Sequence, residues 1–227
     1  MTFWYFFWRA LLKGLFGFFC EIHVLRRELS GLPGGRILAA NHISHFDPPI
    51  LSVVSRRQID WMAMEELFRL PVLGGLLGTV GAFPVRRGKP DRVALRMAVR
   101  RLEEGRVVGI FPEGGIRDGK NSVLEGGGMR PGVALVAAMA GVEIQPVVIL
   151  GSDRLYNRRN WVPGRRTPIW VGFGEPFGME EDSGSGRERF EMELVVALRQ
   201  LRDELREFFC LRVEDMPHAP RERMAGL

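Results

Sequence analysis

Cysteine is nearly absent from this chain. Cys20 and Cys210 are the only two in 227 residues, near opposite ends and without paired spacing. That excludes a disulfide framework and a thiolate metal site, and predicts a reducing compartment. Lysine is scarce as well: of 32 cationic residues only Lys13, Lys89 and Lys120 are lysines, the rest being arginines, for a net charge of +5. An arginine surface suits planar anions, so anionic lipid and phosphorylated or acidic substrates stay open. Nucleic acid is not expected as a partner, since aromatic platforms are missing outside the N-terminal segment and no recognition motif occurs. A P-loop, a dinucleotide fingerprint, internal repeats and clustered metal ligands are missing too. No serine or cysteine stands in a nucleophile context.

With 46% hydrophobic and 26% charged residues in 227, the composition is that of one globular domain with a sizeable core. Residues 3–20, FWYFFWRALLKGLFGFFC, are the most apolar stretch and hold six aromatics in a row. A spanning helix needs about 20 predominantly apolar residues, and this shorter one carries Arg9 and Lys13. Those cations, four apart on one helical face, predict a helix lying at a membrane interface with its aromatic side among acyl chains. No small-residue cleavage site follows, which argues against a signal peptide. A buried core helix is the competing reading, although so many consecutive aromatics do not fit one stripe.

From Arg36 onward, short β-like runs alternate with helical stretches, which predicts an α/β fold with a mainly parallel, partly mixed sheet flanked by helices. Strands are expected at 37–40, 59–63, 82–85, 107–111, 143–150 and 169–173. Pro146 places the start of the fifth of these at a bulge or edge. Helices are expected at 49–54, at 91–104 up to Gly105, from Pro131 to Ala140, and over a long amphipathic stretch from Phe190 to Phe208. Residues 70–81, LPVLGGLLGTVG, either face lipid or pack closely through their glycines. SGSG at 183–186 reads as flexible, 161–166 as a solvated basic loop, and the tail from Arg212 as polar and frayed. The expected organisation is a membrane-interface helix at 1–24, one catalytic domain at 25–210 and a polar tail at 211–227.

Chemistry concentrates at 37–48, ILAANHISHFDP, where an apolar run ends in titratable and turn-forming residues. The pattern places His42 at the carboxyl end of a buried strand, where open α/β sheets bind ligands. Asp47, five residues on, is able to fix the imidazole tautomer and stabilise the imidazolium. Positions five apart on one helix lie about 140° apart, so the pair requires a turn between them. Ser44 and Asp47-Pro48-Pro49 supply turn chemistry. The same letters also describe an N-cap Asp47 before a helix opening on Pro48, beside an ordinary loop histidine. A second candidate is the glycine-rich loop PEGGIRDG at 112–119, whose main-chain N–H groups suit an anion or a developing oxyanion.

Taken in order, NHISHFD at 41–47, GAFPVRR at 81–87, FPEGG at 111–115 and EIQPVVI at 143–149 resemble the four sequence blocks of the glycerolipid acyltransferase family, over residues 25–174. The resemblance implies an α/β enzyme, peripheral or monotopic on the cytoplasmic face of the cell membrane, that moves a fatty acyl group from acyl-CoA or acyl carrier protein to the free hydroxyl of a lysophospholipid, 1-acyl-glycerol-3-phosphate above all. It implies no metal and no cofactor. His42 then resembles the general base and Asp47 the carboxylate behind it. Glu113, Gly114 and Gly115 match the acceptor-binding and oxyanion block, and Arg86 or Arg87 the cation that meets acceptor phosphate. Asn41 would hold the loop, and Pro146 would be structural. Three positions depart from the pattern. Arg117 comes one place late after Gly115 and Ile116, Met64 stands where a lysine is common, and Arg130 stands where a lysine is frequent before Pro-Gly. Acylation of another lysolipid or hydroxylated lipid, and anionic-membrane binding without catalysis, therefore remain alternatives.

Overall fold

The alternating pattern after Arg36 resolves into one seven-stranded sheet. The computed structural model describes residues 3–86, 91–180 and 182–225. In chain order the elements are α1 (Phe3–Phe19), β1 (Cys20–Leu25), β2 (Arg36–Ala40), α2 (Asp47–Val54), β3 (Ile59–Met64), α3 (Glu65–Phe68), α4 (Pro71–Thr79), β4 (Phe83–Val85), α5 (Arg92–Glu103), β5 (Val107–Ile110), α6 (Val133–Ala140), β6 (Glu143–Leu150), β7 (Thr167–Phe173), α7 (Gly184–Phe208) and α8 (Pro220–Ala225). Short 3₁₀ turns link several of them. The sheet order is β1-β7-β6-β2-β5-β3-β4. β6, β2, β5, β3 and β4 run parallel, whereas β7 is antiparallel to β6 and β1 parallel to β7.

β2 sits in the middle with every residue buried, which is why ILAA, after Arg36, reads as an unbroken apolar run. Successive side chains point to opposite faces. Ile37 and Ala39 join the core under α5, α6 and α7, while Leu38 and Ala40 join the core under α1 and α2. On the first side α7 contributes Phe190, Leu194, Leu198, Leu201 and Leu205 at helical spacing. On the second, Ile50, Leu51 and Val54 of α2 face the sheet, and α1 adds Phe16. Asp91 caps α5, accepting from Val93 N and Ala94 N at 3.1 Å each.

Five expectations change. Residues 20–24 do not continue the N-terminal helix: CEIHVL forms edge strand β1 of the main sheet, pairing with β7 from Cys20↔Thr167 to Leu25↔Gly172. Arg9 is not turned toward solvent. Its guanidinium donates to Val53 O and Ser55 O, the last carbonyls of α2, where a cation opposes the helix dipole. SGSG is a helix start, with Ser183 Oγ accepting from Gly186 N at 3.0 Å. The edge expected at Pro146 holds only in part: β6 is interior, but its ladder with β7 begins at Val147↔Phe173, so the N-terminal part of the strand has no β7 partner, and the Pro146 carbonyl accepts from Gly174 N at 2.9 Å. The tail folds back as a 3₁₀ turn at Val213–Asp215 and α8, burying Arg223.

α1 is apolar on the side away from the domain. Phe3, Trp4, Phe6, Phe7, Leu11, Leu15 and Phe18 are exposed, while Tyr5 and Phe16 are buried. α4 has no buried residue despite its apolar sequence. Among the described residues no helix is long and apolar enough to cross a membrane.

β5 contains Gly109 because Trp61 of β3 occupies the space beside it. A Cβ there would stand 2.4 Å from Trp61 Cε3 and 2.8 Å from Ile59 Cγ2. Gly109→Ala therefore shifts Trp61 and costs about 1–3 kcal/mol of stability by overpacking. Urea denaturation reads this as a lowered midpoint; an unchanged midpoint would mean that β3 yields freely.

Candidate active site

β2 delivers the chain to the carboxyl end of the sheet at Ala40, and the next residue fixes where it goes. Asn41 is fully buried; its Nδ2 donates to Ile149 O at 3.0 Å and its Oδ1 accepts from Ile149 N at 2.8 Å. This two-bond bridge to the neighbouring strand β6 satisfies main-chain groups that would otherwise be buried unpaired. The loop therefore leaves the sheet in one direction, with His42 first.

His42 Nδ1 lies 2.9 Å from Asp47 Oδ2. The same oxygen accepts from Ile43 N and Ser44 N, each at 2.8 Å, and Oδ1 accepts from the Ser152 hydroxyl. Asp47 is fully buried and His42 is 7% exposed. The helix α2 does open here, but its N-cap is Phe46, without a side-chain cap bond. The Asp47 carboxylate instead points back into the preceding turn. Because it serves as an acceptor, Nδ1 carries the hydrogen and Nε2 keeps its lone pair. Among the described residues Nε2 has no hydrogen-bond partner. One face of the imidazole stacks on Phe111, with centroids 4.0 Å apart at 17°, and Phe111 stacks in turn on Trp61 at 4.8 Å and 10°.

The glycine-rich loop is joined to this turn by its backbone and by Glu113. His42 N donates to Glu113 Oε2 at 2.6 Å, and Arg117 N donates to His42 O at 2.8 Å. Glu113 Oε1 accepts from Ser122 Oγ at 2.9 Å and Val123 N at 2.8 Å. Glu113 is 1% exposed, and both its oxygens are occupied by protein donors. Burial pushes its carboxyl above the usual glutamate range, opposed by those three donors. Gly114 adopts φ +67°, and a Cβ on it would meet Arg130 Cδ at 2.3 Å, so the Arg130 stem lies directly over the loop. Arg130 N closes the contact by donating to Pro112 O at 2.8 Å. Gly115 N and Ile116 N have no protein acceptor, and Arg117 and Arg130 no carboxylate partner, among the described residues.

Thus His42, Asp47, Glu113, Gly114, Gly115, Arg117 and Arg130 come together. Arg86 is engaged in ion pairs, its guanidinium 3.6 Å from Asp91 and 3.9 Å from Glu65, with a side chain 63% exposed. Arg87 lies outside the described residues. A cavity of about 610 Å³ opens beside the loop between α5 and α6. Met62, Leu95, Ile110, Phe111 and Val136 make it mostly apolar, and Asp91, Arg92 and Arg130 are its charged residues. His42 does not line it, but its stacking partner Phe111 does.

Sequence reasoning missed several contributors. Ser152 follows β6, the strand next to β2, and that end of a sheet is where such residues collect. Tyr156 OH accepts from His45 N at 3.1 Å and lies 2.6 Å from His45 Nδ1. Trp161 is not a solvated loop residue: it sits between Phe46, at 5.6 Å, and Phe19 of α1, at 5.3 Å. An aromatic row therefore runs from the His42 turn to α1.

The raised Glu113 carboxyl has a measurable consequence. In the folded protein it keeps its proton at pH values where the unfolded chain has released it. Its contribution to stability is therefore complete below the ordinary glutamate range and is lost as pH rises through the native value. Glu113→Gln removes this titration, so the urea midpoint of the parent protein, relative to the variant, declines as pH increases over that window. A pH-independent difference would contradict the assignment.

Comparison with known proteins agrees with this architecture. The family model described as Acyltransferase matches residues 22–150. The 1-acyl-sn-glycerol-3-phosphate acyltransferase of Bacillus subtilis is 29% identical over 131 residues, covering 57% of this chain and 63% of that protein. The protein of the same name from Streptococcus pneumoniae is 31% identical over 147 residues, 64% of this chain and 51% of its own. These matches span less than two thirds of the relatives' length. The crystal structure of the 1-acyl-sn-glycerophosphate acyltransferase from Thermotoga maritima superimposes with a TM-score of 0.60 at 20% identity, over 88% of this chain and 79% of that one, a likeness of fold. With the family model covering more than half of its length, the chain belongs to the acyltransferase family.

Proposed function

We propose that the protein transfers a fatty acyl group from a thioester, acyl-CoA or acyl carrier protein, to the free hydroxyl of a lysophospholipid, with 1-acyl-glycerol-3-phosphate as acceptor and phosphatidic acid as product. The observation that carries the reading is the His42–Asp47 pair, at 2.9 Å, hydrogen-bonded through His42 to the loop that bears Gly115, Ile116 and Arg117. The printed names of the relatives support the acceptor.

An alcohol is a poor nucleophile toward a thioester until its proton is removed. In this reading His42 Nε2 accepts that proton as the oxygen attacks the thioester carbon, and Asp47 stabilises the resulting imidazolium. The N–H groups of Gly115 and Ile116 receive the negative charge on the tetrahedral oxygen. Collapse breaks the carbon–sulfur bond, and the proton passes from His42 to the departing thiolate. Arg117 and Arg130 bind acceptor phosphate, and the apolar cavity takes an acyl chain. Glu113, its oxygens already engaged, holds the two loops together instead of touching substrate.

The site works at the cytoplasmic face of the membrane. The exposed aromatic side of α1 supports insertion among lipid chains, and α4, apolar and with no fully buried residue, supports a second contact. Because Arg9 is occupied by α2, the apolar side of α1 faces outward. Met64, in place of the lysine common in the family, favours a second reading in which the acceptor is a different lysolipid.

The test incubates detergent-solubilised protein with a labelled acyl thioester and a panel of lysolipids, followed by identification of the lipid formed. His42→Ala lowers turnover about a thousandfold while leaving vesicle binding intact. Retained turnover in that variant would remove the mechanism, whereas a product other than phosphatidic acid would replace only the acceptor. Phe7→Ser with Leu11→Ser lowers vesicle binding in flotation assays while turnover of a short-chain, monomeric substrate is kept; undiminished flotation would exclude α1 as the docking surface.

A further inference from the structure

The polar C-terminal residues reach the carboxylate behind His42 through one short turn. β6 ends at Leu150, and the 3₁₀ turn Ser152–Tyr156 follows. Ser152 is fully buried and donates its hydroxyl to Asp47 Oδ1, the oxygen that His42 does not use. The next residue, Asp153, is also fully buried; its Oδ2 accepts from Arg223 Nε at 2.6 Å and from His218 N at 3.0 Å. Arg154 then donates to Asp215 Oδ1 at 2.8 Å. Three consecutive residues thus bind the Asp47 carboxylate, α8 with the turn before it, and the 3₁₀ turn Val213–Asp215. Planar peptide units couple them, so displacement of Asp153 displaces Ser152.

We infer that Ser152 is a positioning residue for Asp47, and that residues 213–225, through the Arg223–Asp153 ion pair, hold the turn that keeps Ser152 there. The function follows from the geometry of one carboxylate. Oδ2 is shared by His42 Nδ1, Ile43 N and Ser44 N, while the Ser152 hydroxyl is the donor on Oδ1. That fourth bond stops the carboxylate rotating and withdraws part of its charge from the imidazole. Without it, the carboxylate turns and the imidazole it holds loses its fixed aim. All of these tail residues, with Ser152 itself, lie beyond the stretch matched by the family model. The inference rests on the acyl-transfer reading for its kinetics alone.

The test therefore has two arms, both on the full chain. In the first, the proton of the His42 Nδ1–Asp47 hydrogen bond is followed by NMR, its signal assigned by its loss in His42→Ala. The groups facing His42 are Asp47, the Glu113 carboxylate at its main-chain N, the Arg117 main chain at its carbonyl and the Phe111 ring; Asp153, Arg223 and Tyr156 surround the Ser152 turn. Ser152→Ala displaces and broadens that Nδ1–H resonance, and Ser152→Thr, which keeps the hydroxyl, restores it. In the second arm, Ser152→Ala lowers kcat about tenfold with KM for both substrates within about twofold. Arg223→Met lowers kcat severalfold by itself but less than about twofold in the Ser152→Ala background, as expected when one residue acts through the other. Thermal melting accompanies each variant, and if Arg223→Met does not fold, Arg223→Lys, with charge kept on a shorter reach, reads the same coupling. An unmoved His42 Nδ1–H resonance in Ser152→Ala, or an equal Arg223 effect in both backgrounds, would overturn the inference. Absence of acyl transfer by the parent protein would defeat the proposed function and leave the NMR arm to decide the positioning role.

Discussion

A single carboxylate buried at the end of the central strand constrains the rest of the site. Asp47 has no exposed surface and accepts four hydrogen bonds, two from the main chain, one from an imidazole and one from a hydroxyl. A carboxylate in such surroundings is tolerated only where donors replace its water. The turn 42–47 has to wrap around it, which needs Asn41 to anchor the strand exit on β6. β6 in turn has to present Ser152. The parallel arrangement of β6, β2 and β5 brings all these donors, and the glycine-rich loop, to one end of the sheet.

The N-terminal helix obeys a different constraint. In most domains a helix hides its apolar stripe and shows its charges; α1 uses Arg9 inward, on the free carbonyls of α2, and leaves aromatic rings outside. The docking on lipid proposed above would account for that inversion. The contact of Phe19 with Trp161, and of Trp161 with Phe46, places the same helix against the turn that carries His42.

Legibility in the sequence followed the range of the interaction. β2 and β6 were readable as strands because burial on both faces writes the apolar runs ILAA and PVVIL, and the α5 and α7 stripes were readable through their period. His42 and Asp47 were readable as a candidate pair, though only the turn geometry separates that pairing from a helix cap. β1 was hidden because CEIHVL follows α1 with no glycine or proline between them. Ser152 was hidden because its partner is 105 residues away, and strand adjacency is not written in local letters. The tail misled for a physical reason: polarity suggests solvent, yet Arg223 and Asp153 are buried because each neutralises the other.

Two rings stacked on one phenyl must take opposite faces, so His42, Phe111 and Trp61 form a continuous pile from the base to β3. Asp47 fixes the imidazole about one axis, and the pile forbids it to tip about the other. A base held in this way has one orientation and no swing. Under the acyl-transfer reading proposed above, alignment with an incoming alcohol would come from the motion of the substrate alone, and selectivity would be set by how closely a lipid can approach an immobile nitrogen.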